Sequence, residues 1–224
     1  VRSIIHFASK DALDIDGPGE TQIEFLQAFG FLNNPVDIFF IEAKNTQSVA
    51  HLANMSGWGA RSVENLFNRI KEAKRTTLAR FIYSLGIKQI GQSNAKILAK
   101  EFGSVKNFIN SMLLLAEGDE KKYFQLRSLE GFADKTVTDI RNFFSCKQNV
   151  DTINQLVNIL TIEDYENNTI SSSITGLNVI FTGTLNSISR NEAKARAEKL
   201  GAKIVSSVSA NTNLVIAGEK AGSK

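Results

Sequence analysis

The chain has 224 residues, 42% of them hydrophobic, enough to bury a real core in one large or two small domains. Its one cysteine, Cys146, excludes a disulfide framework and a zinc site of four Cys or Cys/His ligands within these residues, and favours a reducing, intracellular setting. The net charge is only +3 and unevenly spread: residues 1–170 carry 19 Lys/Arg against 20 Asp/Glu, whereas residues 171–224 carry 7 against 3.

The opening Val1-Arg2-Ser3-Ile4-Ile5-His6-Phe7 has neither the length nor the cleavage pattern of a signal peptide, and no run of about 18 apolar residues follows. Lacking an initiator Met, the chain reads as a piece of a longer protein. Proline is scarce, and apolar residues recur at spacings of three and four through residues 1–165, as in Val63, Leu66, Phe67 and Ile70, so this part is predicted to be all-helical. Four segments within it share one grammar: a helix end, a tight turn of the form Gly-apolar-Gly, and a small or branched apolar residue four positions after the second Gly. The first turn is Gly17-Pro18-Gly19, leading to Ile23, and the second is Gly57-Trp58-Gly59, leading to Val63. The third, Gln89-Ile90-Gly91, leads to Ala95, and the fourth, Gly131-Phe132-Ala133, leads to Val137. The second turn positions are 40, 32 and 42 residues apart, which predicts two pairs of hairpins, each pair a compact helical unit. Between Arg61 and Lys106 lie ten basic residues (Arg61, Arg69, Lys71, Lys74, Arg75, Arg80, Lys88, Lys96, Lys100 and Lys106) against three acidic ones, a candidate phosphate-facing surface or else a solvated helix face.

After Tyr165 the composition turns polar and aperiodic, which marks residues 166–173 as a linker. Leu177 to Thr182 reads as a buried strand bounded by Gly176 and Gly183. A helix follows, opened by a capping box of Ser189 and Glu192 and closed at Gly201, and then come two strand candidates, Lys203-Ile204-Val205 and Leu214-Val215-Ile216-Ala217.

The repeated turn has a chemical reading. A helix N-terminus exposes backbone N–H groups without internal partners, and the peptide dipoles place partial positive charge there. An anion can approach such an end closely only if the preceding residues lack bulk at Cβ. Backbone donors read no bases, so the arrangement predicts phosphate affinity without sequence preference. The central apolar residues, Pro18, Trp58, Ile90 and Phe132, are expected to point inward and anchor each hairpin. Hairpins one and two have both glycines; Gln89 and Ala133 weaken the third and fourth, Asp134 would repel an anion at the fourth, and Lys88 and Gln89 would help at the third. His6 and His51 lack carboxylate or cysteine company and read as ordinary surface or core residues, and Cys146 reads as a semi-buried thiol.

Ala12-Leu13-Asp14-Ile15-Asp16-Gly17, Thr76-Thr77-Leu78-Ala79-Arg80-Phe81-Ile82-Tyr83-Ser84-Leu85-Gly86-Ile87, Phe181-Thr182-Gly183-Thr184-Leu185 and Val215-Ile216-Ala217-Gly218-Glu219-Lys220-Ala221-Gly222-Ser223-Lys224 occur here in that order. Together they resemble the carboxy-terminal part of bacterial NAD-dependent DNA ligases. The resemblance implies a mainly α fold: a tandem helix-hairpin-helix DNA-binding domain over residues 1–165, a linker over 166–173, and a partial α/β BRCT domain over 174–224, truncated at its C-terminus. It implies that Gly17, Gly19, Gly57, Gly59, Lys88, Gln89 and Gly91 grip the backbone of nicked double-stranded DNA for an enzyme that seals 5′-phosphate/3′-hydroxyl nicks in replication and repair. In phosphate-binding BRCT domains a hydroxyl, an adjacent N–H and a lysine hold the anion; Thr182, Gly183 and Lys224 match, with Arg190 an addition. The resemblance further implies a cytoplasmic, nucleoid-associated protein without membrane contact. NAD, magnesium and zinc are implied for the whole enzyme and for its missing domains; no Lys-x-Asp-Gly adenylation motif or metal ligand set occurs here, so this segment is not expected to be catalytic alone. Two other readings stay open: a non-enzymatic repair scaffold with a protein-binding BRCT domain, and a piece of a repair nuclease.

Overall fold

The computed structural model describes residues 2–15, 19–48, 51–166, 172–183, 185, 188, 190–205 and 207–219. The chain divides into two compact units, Val1–Glu166 and Asn167–Lys224.

In the first unit the helices are α1 (Arg2–Ala8), α2 (Glu20–Ala28), α3 (Ile41–Gln47), α4 (Ala60–Ala73), α5 (Leu78–Ser84), α6 (Gln92–Phe102), α7 (Val105–Glu117), α8 (Glu120–Arg127), α9 (Asp134–Ser145) and α10 (Lys147–Ile159), with 3-10 turns at Pro35–Phe40 and Leu52–Asn54. Apolar residues three and four apart put one face of each helix inward, as at Val63, Leu66, Ile70 and Ala73 on α4. Those faces meet in one continuous core that runs from Ile4 to Leu160, so the two hairpin pairs are not separate compact units as predicted. Aromatic rings fill its centre: Phe108 is fully buried and lies 5.9 Å from Phe102 and 5.8 Å from Phe144, ring centre to ring centre.

The first unit is also not purely helical. Arg75–Thr77 forms β1 and Thr161–Glu163 forms β2, and the two pair in parallel with Thr76 opposite Ile162. The pairing fastens the end of the unit to the segment between α4 and α5. Arg75 Nε adds a 2.6 Å ion pair to Glu163 Oε1 across it.

Local caps hold the irregular stretches. Ahead of α3, Asn34 Oδ1 accepts from the N–H of Val36 and Asp37, and Asp37 Oδ2 accepts from the N–H of Asn33 and Asn34. Lys44 Nζ lies 2.9 Å from Asp37 Oδ1. Burial alone would raise the Asp37 pKa, but the hydrogen bonds from Lys44, Asn33 and Asn34 outweigh it and hold the carboxyl below its ordinary 3.8. A depressed folded-state pKa contributes stability that is present above 3.8 and lost as the pH falls through the lowered value. Asp37→Asn is therefore expected to melt below the parent chain at neutral pH and to converge with it as the pH drops below 3.8, followed by thermal unfolding across a pH series. A constant gap at all pH values would refute this role.

The second unit contains β3 (Asn178–Thr182), α11 (Arg190–Lys199), β4 (Lys203–Ile204) and β5 (Leu214–Ala217). The strands run parallel in the order β4-β3-β5, with Val179 opposite both Ile204 and Leu214. Val179, Ala197 and Ala202 form a small core under Ile174, Leu177, Phe181, Ile204 and Ile216. Arg196 pairs with Glu192 along α11. Ser189, the other half of the expected capping box, lies outside the described residues.

Candidate nucleic-acid interface

Three hairpin tips can be compared atom by atom, and they are built alike. The N–H of Trp58 donates to Met55 O (3.1 Å), that of Ile90 to Ile87 O (3.1 Å), and that of Phe132 to Leu129 O (3.2 Å). The residue before each donor has a left-handed backbone: φ is 82° at Gly57, 65° at Gln89 and 83° at Gly131. This is a tight turn with positive φ at its third position, which favours glycine. The middle residues are anchors as expected, with Trp58 8%, Ile90 5% and Phe132 2% exposed.

Gln89 takes up the left-handed conformation although it carries a Cβ. Asn94 Nδ2 donates to Gln89 O at 2.9 Å and holds the strained peptide. Because a non-glycine residue there costs about 1–2 kcal/mol while glycine adds backbone entropy to the unfolded chain, Gln89→Gly is expected to stabilise the protein by roughly 0.5–1 kcal/mol. A melting temperature at or below that of the parent chain would contradict it.

The residue after each anchor begins the second helix. Gly19, Gly59, Gly91 and Ala133 are the N-caps of α2, α4, α6 and α9, all with extended backbone. The apolar residues four positions on, Ile23, Val63, Ala95 and Val137, are all buried, and their N–H groups donate back to the N-cap carbonyls. Positive φ is not the reason for glycine at these caps. Nor is internal packing: a Cβ placed on Gly19, Gly59 or Gly91 would meet no atom within 4 Å. The three caps open onto unfilled space in front of a helix N-terminus.

The donors at these caps are shared. Gln22 Oε1 accepts from the Gly19 N–H at 3.0 Å, and Ser62 Oγ from the Gly59 N–H at 2.9 Å. The next two N–H groups of each helix, those of Glu20 and Thr21, Ala60 and Arg61, and Gln92 and Ser93, have no intrahelical acceptor by helix geometry. A polar residue stands three places after every cap: Gln22, Ser62, Asn94 and Thr136. That spacing was visible in the sequence and marks the residues that brace the tips.

The fourth corner is closed by its own side chains. Asp134, the first residue of α9, accepts from Tyr123 Oη at 2.8 Å and from Arg127 Nε at 2.5 Å, and Arg127 also donates to Phe132 O. The Tyr123 hydroxyl, and then Arg127, hold the Asp134 carboxyl below the usual carboxylate range. A fixed negative charge at the helix start leaves no place for a second anion.

Of the ten basic residues between Arg61 and Lys106, Arg69, Lys71, Arg75 and Arg80 are engaged in ion pairs. No ion pair forms at Arg61, Lys74, Lys88, Lys96, Lys100 or Lys106 among the described residues, and all six are exposed. Lys88 and Gln89 stand exposed on the third tip. Gly17 lies outside the described residues, as does Lys224.

In the second unit Thr182 ends β3 and is buried at 7% exposure, and its carbonyl accepts from the Gly218 N–H. Gly183 follows with φ 73°, and a Cβ there would come within 2.7 Å of Gly218 O, so close backbone approach dictates this glycine. Arg190 starts α11; its side chain is not described. Cys146 is exposed, not semi-buried, because it caps α10 outside the core. No group of three or more His, Cys, Asp or Glu among the described residues could hold a metal, and no helix is long and apolar enough to cross a membrane.

Comparison with known proteins agrees with this geometry. A family model described as helix-hairpin-helix motif matches residues 80–153, which contain the third and fourth tips, and the BRCA1 C Terminus (BRCT) domain model matches residues 174–224. DNA ligases of Rickettsia bellii (strain OSU 85-389) and Rickettsia africae (strain ESF-5) are each 54% identical over 221 residues, and that of Rickettsia canadensis (strain McKiel) is 53% identical over the same length. Each alignment covers 99% of this chain and 32% of the relative, so the chain spans about a third of the length of the curated relatives it matches. Related to them along nearly its whole length and carrying both matched modules, the chain belongs to the bacterial DNA ligase family as a helix-hairpin-helix and BRCT segment.

Proposed function

We propose that this chain is the duplex-gripping part of an NAD-dependent DNA ligase, holding nicked double-stranded DNA by its phosphates while other parts of the enzyme seal the nick. The observation that carries the reading is the set of three glycine caps, Gly19, Gly59 and Gly91, that face open space at helix N-termini with no internal reason to be glycine. A phosphodiester oxygen seated there would accept from the first helical N–H groups and meet the positive end of the dipole. Gly57 and Gln89 shape the turns that aim those groups, Gly17 is assigned to the same task at the first tip, and Lys88 adds charge beside the third. Because peptide donors are indifferent to base identity, affinity without sequence preference follows.

Residues here fit neither an adenylation centre nor a metal site, so NAD, magnesium and zinc are assigned to the rest of the enzyme, in the bacterial cytoplasm. The second unit offers Thr182, Gly183, Arg190 and Lys224 as a second phosphate contact.

The test is fluorescence anisotropy with nicked duplex, intact duplex and single strand of several sequences, each over a salt series. Three phosphate contacts predict a log-log salt slope of about −3, similar for all duplex sequences. Absence of salt-dependent duplex binding, or binding confined to one sequence, would overturn the reading. Nick sealing restored by adding this chain to a ligase that lacks the corresponding third would establish the division of labour.

A further inference from the structure

Away from the hairpin tips, three arginines from three different elements line one cleft of about 410 Å³ in the first unit: Arg69 on α4, Arg75 on β1 and Arg80 on α5. Each is steered by a carboxylate at its edge. Arg69 Nη1 lies 3.1 Å from Glu72 Oε2, Arg75 Nε lies 2.6 Å from Glu163 Oε1, and Arg80 Nη2 lies 3.8 Å from Asp14 Oδ2. Arg80 is fixed further by donating to Ala12 O at 2.8 Å and Lys10 O at 2.5 Å.

These bonds use only part of what the guanidinium groups offer. Each carries five N–H donors in a planar fork, so each keeps donors for another acceptor. The carboxylates of Glu72 and Asp14 are about half or more exposed, and exposed pairs of this kind are weak and readily exchanged. At the floor stands Thr76, 7% exposed, whose Oγ1 is buried with no hydrogen-bond partner among the described residues. An unmet hydroxyl beneath three forked cations is a place short of acceptors, and a tetrahedral oxyanion supplies them.

We infer that the Arg69–Arg75–Arg80 cleft binds a phosphate group, separately from the hairpin caps. The phosphate comes either from the backbone of the duplex, in which case the inference rests on the proposed function, or from free phosphate in solution. Asp14 stands five residues before Gly19, so the cleft adjoins the first tip along the chain and could lengthen its grip on one strand.

The experiment follows the arginine Nε–Hε resonances of the 224-residue chain by NMR, first with inorganic phosphate against chloride at equal ionic strength, then with duplex DNA. Arg69 and Arg75 signals are expected to shift with phosphate but not chloride. Arg75→Gln is expected to weaken phosphate binding about tenfold. Glu163→Gln, which removes a competing negative charge and leaves Arg75 in place, is expected to strengthen it, the opposite of what loss of a purely structural ion pair would do. If the backbone is the source, Arg75→Gln also makes the duplex salt slope shallower by about 0.9. If free phosphate is the source, the slope stays unchanged while the phosphate titration still responds.

No shift with either probe, or equal phosphate affinity in Arg75→Gln and Glu163→Gln, overturns the inference. The phosphate arm stands apart from the proposed function: a chain that fails to bind duplex refutes that function, whereas duplex binding that needs Gly59 and ignores Arg75, with no phosphate shift, refutes the cleft alone.

Discussion

Gly59→Val is expected to weaken duplex binding by about 10- to 100-fold while the chain stays folded. The fold should tolerate the change, because Gly59 has φ −124° and ψ 162°, a backbone that suits β-branched residues, and its missing Cβ faces no atom within 4 Å. Loss of the better N-cap residue costs on the order of 1 kcal/mol of stability. The branched side chain would occupy the space in front of the Ala60 and Arg61 N–H groups, and one or two charge-assisted hydrogen bonds to phosphate are worth about 1.5–3 kcal/mol each. The salt slope should become shallower by about 0.9 as one contact is lost. Ala133→Val makes a similar change at the fourth cap, where Asp134, Tyr123 and Arg127 already fill the corner, and it should leave affinity unchanged. Anisotropy titrations of Gly59→Val, Gly19→Val and Ala133→Val, read beside their circular dichroism, decide the matter. Parent-like binding by both glycine variants would remove the caps from the interface.

The comparison between those caps shows what a sequence can and cannot disclose. The start of each second helix was legible at all four repeats, because the buried residue four places after the cap is set by helix periodicity and so leaves a mark in the chain. Gln89 was not legible as a left-handed residue: nothing in its side chain asks for φ 65°, and what permits it is the Asn94 amide on its carbonyl, a contact within the folded tip. Periodicity tells which face of a helix is buried but not what buries it. The evenly spaced hairpins therefore suggested two compact pairs where the structure has one core. The pairing of Arg75–Thr77 with Thr161–Glu163 left no alternation to detect in two strands of three residues each. The same blindness applied to charge. A run of ten cations in the sequence became four paired and six unpaired only when residues as distant as Arg75 and Glu163 came together.

Trp58→Ala should separate anchoring from contact at the second tip. Trp58 is 8% exposed, its N–H closes the turn on Met55 O, and its ring centre lies 6.4 Å from that of Phe25 on α2. Truncating a buried Trp to Ala typically costs about 3–5 kcal/mol through lost transfer energy and the cavity left behind. For a domain whose total stability is on the order of 5–15 kcal/mol, that is a large share. The expected result is a substantial fall in melting temperature, with duplex binding reduced only as far as the folded population is reduced. Trp58→Phe, which keeps an aromatic ring in the core, should retain most of both. Trp58 is the only tryptophan, so its fluorescence reports this tip alone, and a core anchor should show little quenching on adding duplex. A Trp58→Ala chain that melts like the parent but no longer binds duplex, together with strong quenching in the parent, would mean that the indole stacks on DNA and that the tip is held by something else.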